Sequence, residues 1–202
     1  MLLFNYSTII DPILRDVRAC VIELSCIKAG DRVLDVCCGT GEQVFHYAQK
    51  GAIGTGVDQN PNMIELAEKN RKRRGFKHST FRMASANELP FPDGYFDCAS
   101  ISLGLHEMKR DERNRAVSEM KRVVKKDGAL MFIDFQVPLP ENLFAYLIRA
   151  VEFIAGRDNH DCFKDYLAQG GLKGILNENR LTPQKKALLM RGNLQVIKAS
   201  NP

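Results

Sequence analysis

Apolar residues recur at helical spacing along residues 9–27, at Ile13, Leu14, Val17, Val21 and Leu24, which predicts an amphipathic helix. Lys28 to Asp31, with Gly30, is a stop and turn. A short apolar run at 32–37 then enters Gly39-Thr40-Gly41 and reads as a buried strand. Residues 42–50 read as a helix ended by Gly51, and 54–58 as a second strand that terminates in Asp58. Asn60 and Pro61 suit the N-cap and first position of a helix running to about Arg74.

The alternation continues. Residues 79–83 predict a third strand, 90–94 a turn, and 96–103 a fourth strand apolar enough to be central. A helix over 109–125 closes at Lys126-Asp127-Gly128, and 129–135 form a fifth strand. Strands separated by helices imply a parallel sheet covered on both faces, a doubly wound α/β fold. Beyond Pro138 and Pro140 the pattern changes to helices over 141–155, 161–169 and 173–179. Residues 188–191 and 194–198 flank Gly192-Asn193 as a closing hairpin. The organisation expected is one domain over 1–202: a helical segment to residue 30, a core over 31–136, and acceptor-pocket helices with the hairpin over 137–202.

Charge changes the picture little. The formal +5 comes from 29 basic and 24 acidic residues intermixed along the chain. The densest basic run, Lys69 to Arg74, falls where cations meet the partial negative charge of a helix end, so it reads as a solvated terminus rather than a polyanion site. No apolar run reaches the roughly 18 residues of a membrane span, and residues 1–11 lack the form of a signal peptide. Six cysteines include an adjacent pair and no C-x-x-C spacing, which argues against zinc and for reduced thiols in a cytoplasmic protein.

Chemistry concentrates after the strands, where open parallel sheets bind ligands. Gly39 and Gly41 let backbone approach a ligand, and a carboxylate at Asp58 can accept from both hydroxyls of a ribose. Together they indicate a nucleoside-containing cofactor. A dinucleotide fingerprint would need glycine where the chain has Val44. Asp35, before the glycines, suits an ammonium and a sulfonium better than a pyrophosphate. The long polar stretch 84–97 offers adenine recognition. These three details favour a methyl donor over a nicotinamide dinucleotide.

Residues 33–41 (Val-Leu-Asp-Val-Cys-Cys-Gly-Thr-Gly), 56–58 (Gly-Val-Asp), 89–93 (Leu-Pro-Phe-Pro-Asp), Phe96-Asp97 and 119–128 resemble class I S-adenosylmethionine-dependent methyltransferases. The branch most similar is that of ubiquinone/menaquinone biosynthesis. The resemblance covers roughly residues 6–135. It implies a Rossmann-like, mostly parallel seven-stranded sheet with a C-terminal β-hairpin, and S-adenosylmethionine as cofactor. It further implies that Asp35, Gly39 and Gly41 hold the methionine end and Asp58 the ribose. Gln59 and Met63 would border ribose and adenine, Ser85 and Ala86 would lie along the adenine, and Ser102 would face the donor. Two positions depart from the family: Cys37, often glycine, and Ser85, often an acid, for which Asn87 or a backbone carbonyl could substitute.

Methyl transfer to a hydroxyl or acidic carbon needs positioning and one base. His106 is the candidate base, with helix capping or pocket lining as its plainer reading; Glu107 is a weaker candidate. Tyr6 either folds over the donor or staples the first helix. His46 and His78 read as surface residues, and His160 as the N-cap of a helix. The function expected is methylation of a small molecule, a quinone-like ring among the acceptors. The alternatives are a nucleic-acid or protein methyltransferase, and a non-catalytic cofactor-binding protein. The 102–105 segment, Ser-Leu-Gly-Leu, lacks the Asn/Asp-Pro-Pro-aromatic pattern of amino-methylating DNA enzymes, so no nucleic-acid partner is expected.

Overall fold

The computed structural model describes residues 14–154 and 156–202. Its helices are α1 (Arg15–Ser25), α2 (Glu42–Gln49), α3 (Pro61–Arg74), α4 (Arg110–Val123), α5 (Leu143–Ile154), α6 (Arg157–Ala168) and α7 (Gly171–Glu178). Its strands are β1 (Arg32–Val36), β2 (Ile53–Asp58), β3 (Ser79–Met83), β4 (Phe96–Ser102), β5 (Val124–Phe135), β6 (Pro183–Leu189) and β7 (Leu194–Ser200). Tyr6 and the start of the predicted first helix lie outside the described residues.

The seven strands form one sheet in the order β3-β2-β1-β4-β5-β7-β6. The first five strands are parallel, and β7 runs antiparallel to both β5 and β6. The chain order reverses between β1 and β4, which places the switch point of the doubly wound sheet beside the glycine turn. Side chains alternate across the sheet as a period of two requires. Leu34, Leu130 and Phe132 enter one apolar cluster with α4 and α7. Val33, Met131 and Ile133 enter the opposite one with α1. Both faces are therefore covered, and the strand edges at the top of β1, β2 and β4 are where polar groups can gather.

Local chemistry explains the elements that flank the site. Asn60 accepts from the Asn62 N–H at 3.0 Å and Pro61 opens α3, as its sequence predicts. The basic end of α3 is tied within the protein: Arg71 to Glu68, Arg73 to Asn70 and Arg74 to Glu42. Arg122 of α4 donates to the carbonyls of Phe91 and Leu89 at 2.8 and 2.9 Å, and Glu119 accepts from the Leu89 N–H at 2.8 Å. Two family-like segments, 89–93 and 119–128, are thus a loop and its clamp.

Several boundaries differ from expectation. Helix α4 ends at Val123, and Val124 already pairs with Phe96, so Lys126-Asp127-Gly128 is an irregularity within β5. Pairing resumes at Cys98 with Ala129, because the β4 partner recruits the chain before the turn is complete. The hairpin strand β6 begins at Pro183, five residues earlier than its apolar pattern suggests, since an edge strand exposed at Lys185 and Lys186 carries no apolar signal. His160 lies inside α6, whose N-cap is Gly156, and its ring packs on the edge of Phe153. No described helix is long and apolar enough to cross a membrane.

Candidate active site

β1 hands the chain to a turn in which Cys37 and Gly39 take left-handed backbone, φ 57° and 50°. Cys37 bears a Cβ in that region, which costs on the order of 1 kcal/mol or more. Nothing lies within 4 Å of where a Gly39 Cβ would point, so this face of the turn opens onto a cavity. The Gly39 N–H donates to Asp58 Oδ2 at 2.9 Å, and the Asn60 N–H donates to Asp58 Oδ1 at 2.9 Å. Two backbone donors thus aim the carboxylate at the end of β2 while each oxygen keeps acceptor capacity for a hydroxyl.

The cavity measures about 420 Å³, within the range of small-ligand pockets. Of the site residues expected from sequence, Gly39, Asp58, Gln59, Met63, Ser85, Ala86 and Ser102 line it. A recess of about 40 Å³ shares Cys37, Gly39, Ser102 and Leu103 with the cavity and reaches Asp35, Arg18 and Gln43. Gly41 lines neither space. It caps α2 with φ 83°, and a Cβ there would meet the Phe81 ring at 2.5 Å, so its size serves packing of the turn. His106 lines neither space either; Glu107, beside it, lines the cavity.

Asp35 is buried at 2% exposure and accepts from Ser100 Oγ at 2.6 Å, its register partner on β4. Burial pushes its pKa up to about 7, against the Ser100 hydrogen bond and the charge of Arg18, which lower it. Burial also lifts the Cys37 thiol, with Asp58 and Asp35 adding to the rise, so the thiol at the cavity wall stays neutral. Gln43 Nε2, at the recess, and Asn87 Oδ1, at the cavity, are buried atoms without a hydrogen-bond partner in the protein.

On the other side of Ser102, the chain turns through Leu103 (φ 54°) into a single 3₁₀ turn, Leu105–Glu107. The His106 ring is buried, with Nδ1 2.6 Å from Asp134 Oδ1 at the end of β5. Asp134 also accepts from the His106 N–H at 3.2 Å and the Phe135 N–H at 2.8 Å. His106 Nε2 lies 3.6 Å from Glu152 of α5 and 3.9 Å from Glu107. Burial alone would favour the neutral ring. Asp134, by charge and hydrogen bond, and then Glu152 outweigh it and raise the His106 pKa to about 10. A shift in that direction favours the imidazolium at neutral pH.

The sequence reading omitted Arg18, Glu107's place in the wall, Glu112 and Asn159. Arg18 could have been found, because it shares the inner side of α1 with Leu14 and Val17 at helical spacing. Asn159 arrives from α6 by tertiary packing and has no local signal.

The set fits S-adenosylmethionine by its own chemistry. Asp58 keeps acceptor capacity suited to ribose hydroxyls, and Asn87 Oδ1 is a buried acceptor suited to an adenine amino group. Asp35 and Arg18 at the recess match the ammonium and carboxylate of a methionine tail. Residues 33–128 match the family described as a methyltransferase domain. An uncharacterised methyltransferase of Synechocystis is 30% identical over 178 residues, covering 88% of this chain and 79% of that protein. The ubiquinone/menaquinone biosynthesis C-methyltransferase of Yersinia enterocolitica is 36% identical over 126 residues, 60% of this chain and 49% of that protein, so the chain spans about half of that relative's length. The fold matches a SAM-dependent methyltransferase of Aquifex aeolicus with TM-score 0.70 at 18% identity, covering 92% of this chain and 89% of that one. The chain belongs to the class I S-adenosylmethionine-dependent methyltransferases, near the ubiquinone/menaquinone-biosynthesis branch.

Proposed function

We propose that the enzyme methylates a small, uncharged acceptor whose reacting atom gives up a proton, a class that includes quinol-like rings, and that Glu107 receives that proton. One observation carries this reading. Among the described residues, the charged side chains lining the 420 Å³ cavity are Asp58, Glu107 and Glu112, with no lysine or arginine. Such a wall repels a phosphate or carboxylate and disfavours a nucleic-acid strand. It accommodates a neutral ring bearing a hydroxyl or an acidic C–H.

Bound S-adenosylmethionine supplies an activated methyl carbon on a sulfonium. The residues of the chain do the rest. Asp58, Gly39 and Asp35 orient one reactant, Ser102 and Leu103 border the space beyond it, and Asn159 extends the wall from the C-terminal third. Glu107 takes the proton that the acceptor atom releases as its bond to carbon forms. Burial lifts the Glu107 carboxyl above its usual range; His106 pulls it back, and Glu152 and Asp134 add to the rise. The buried His106 acts through Glu107 as a positioning cation rather than as the base. The six free cysteines suit a reducing compartment, and we place the reaction in the cytoplasm.

The test offers radiolabelled S-adenosylmethionine with a naphthoquinol, a catechol and a transfer RNA pool. We expect label in a neutral ring, and Glu107→Gln to slow that transfer by about a hundredfold or more with product affinity unchanged. Label in RNA alone, or a Glu107→Gln enzyme at full rate, would overturn the assignment.

A further inference from the structure

Helix α5 has its amphipathicity inverted. Its inward face carries Ala145, at 0% exposure, and Glu152, whose carboxylate reaches His106. Its outward face carries Leu143, Tyr146, Leu147, Val151, Phe153 and Ile154, from 53% to 81% exposed. Their spacing, three and four residues apart, puts them on one continuous strip. Single exposed apolar side chains need no explanation, but a helix-long strip of six does. Twelve residues give a helix about 18 Å long, which can lie on a bilayer and cannot span one.

Charge selects the occupant. Arg149 lies over the Tyr146 ring at 5.9 Å, and Arg191, from the hairpin, over the Phe144 ring at 5.8 Å. Arg157 opens the next helix, and apart from the inward-facing Glu152 the acids nearest in sequence, Glu141 and Asp158, lie beyond the two ends of α5. A second copy packed symmetrically on this strip would set like guanidiniums against each other. A sheet of anionic headgroups would pair with them while the strip enters the acyl boundary.

We propose that the outward face of α5 docks on the surface of a bilayer containing anionic lipid. The proposal stands apart from the choice of acceptor and from the proton acceptor named above. The chain has no tryptophan, so Tyr146→Trp places a single reporter on the strip. With vesicles of phosphatidylcholine and phosphatidylglycerol, its emission should shift to the blue, less with phosphatidylcholine alone and less at high salt. Co-sedimentation of the wild-type protein with the same vesicles should fall about tenfold for Leu147→Glu combined with Val151→Glu. S-adenosylhomocysteine binding by that variant should stay unchanged, which separates loss of the surface from loss of the fold. No blue shift and no co-sedimentation at low salt would sink the proposal. So would a concentration-dependent dimer abolished by the same double substitution, which would assign the strip to a second copy.

Discussion

The Gly39 N–H donates to Oδ2 of Asp58 across 2.9 Å, joining the turn after β1 to the acid that ends β2. This bond joins the carboxylate that we assign to the ribose and the open face of the turn into a single unit. Asp58→Ala removes the acceptor for both the Gly39 and Asn60 N–H groups as well as for the ribose. Titration calorimetry with S-adenosylhomocysteine should show affinity weakened by more than about tenfold, the scale of one charged hydrogen bond. An unchanged dissociation constant would remove Asp58 from the site.

Asp35 should trade stability for binding. Its carboxyl ionises near 3.8 when exposed and near 7 in the folded protein. Between those values the folded state keeps a proton that the unfolded chain has lost, so this residue's contribution to stability falls as pH rises through that interval. Asp35→Asn, uncharged and still able to accept from Ser100, should stabilise the protein at pH 8 by on the order of 2 kcal/mol in urea melts. The same substitution should weaken S-adenosylhomocysteine binding. In the wild type, that binding should weaken as pH drops from 8 to 6, because protonation removes the charge that meets the ligand's ammonium.

His106 behaves in the opposite sense. Its folded pKa, about 10, lies above the usual 6.5, so the pair with Asp134 stabilises fully below 6.5 and loses that contribution as pH climbs through 10. His106→Gln should therefore cost most near pH 6, on the order of 3 kcal/mol for a broken buried pair, and progressively less toward pH 10. A destabilisation independent of pH would show that the ring is neutral in the fold.

Arg113 is 1% exposed and donates to the carbonyls of Leu105 at 2.8 Å and Cys162 at 3.0 Å, with Asp165 paired at 3.0 Å. It thereby fastens the turn that carries Glu107 to the helix that carries Asn159. Arg113→Met keeps much of the volume but removes the buried donor to both carbonyls and the cation paired with Asp165. Denaturant melts should show a loss of about 3 kcal/mol or more, and proteolysis should become faster in residues 156–170.

The elements most legible in the chain were those whose local rules agree with the fold. Asn60-Pro61 opened α3 where expected, and 79–83 is β3 as its pattern predicts. Asp58 and Gly39 both line the cavity at the strand ends, where the glycine turn and the acid could be picked out from sequence. Gly41 lines neither space, and a glycine that packs against Phe81 looks identical in sequence to one that borders a ligand. The surroundings of His106, the candidate base, were not legible, because its two closest carboxylates, Asp134 and Glu152, are 28 and 46 positions away.

By itself the order of residues determined the alternation of strands and helices, the glycine turn, and the acid that follows it, since periodicity, capping and turn chemistry act between near neighbours. Only the tertiary structure decided which carboxylates line the cavity, which carboxylates surround the buried His106 ring, and which side of α5 meets solvent. Those outcomes depend on charges and surfaces brought together from distant strands and helices, where burial and Coulomb's law act on distance in space and not along the chain.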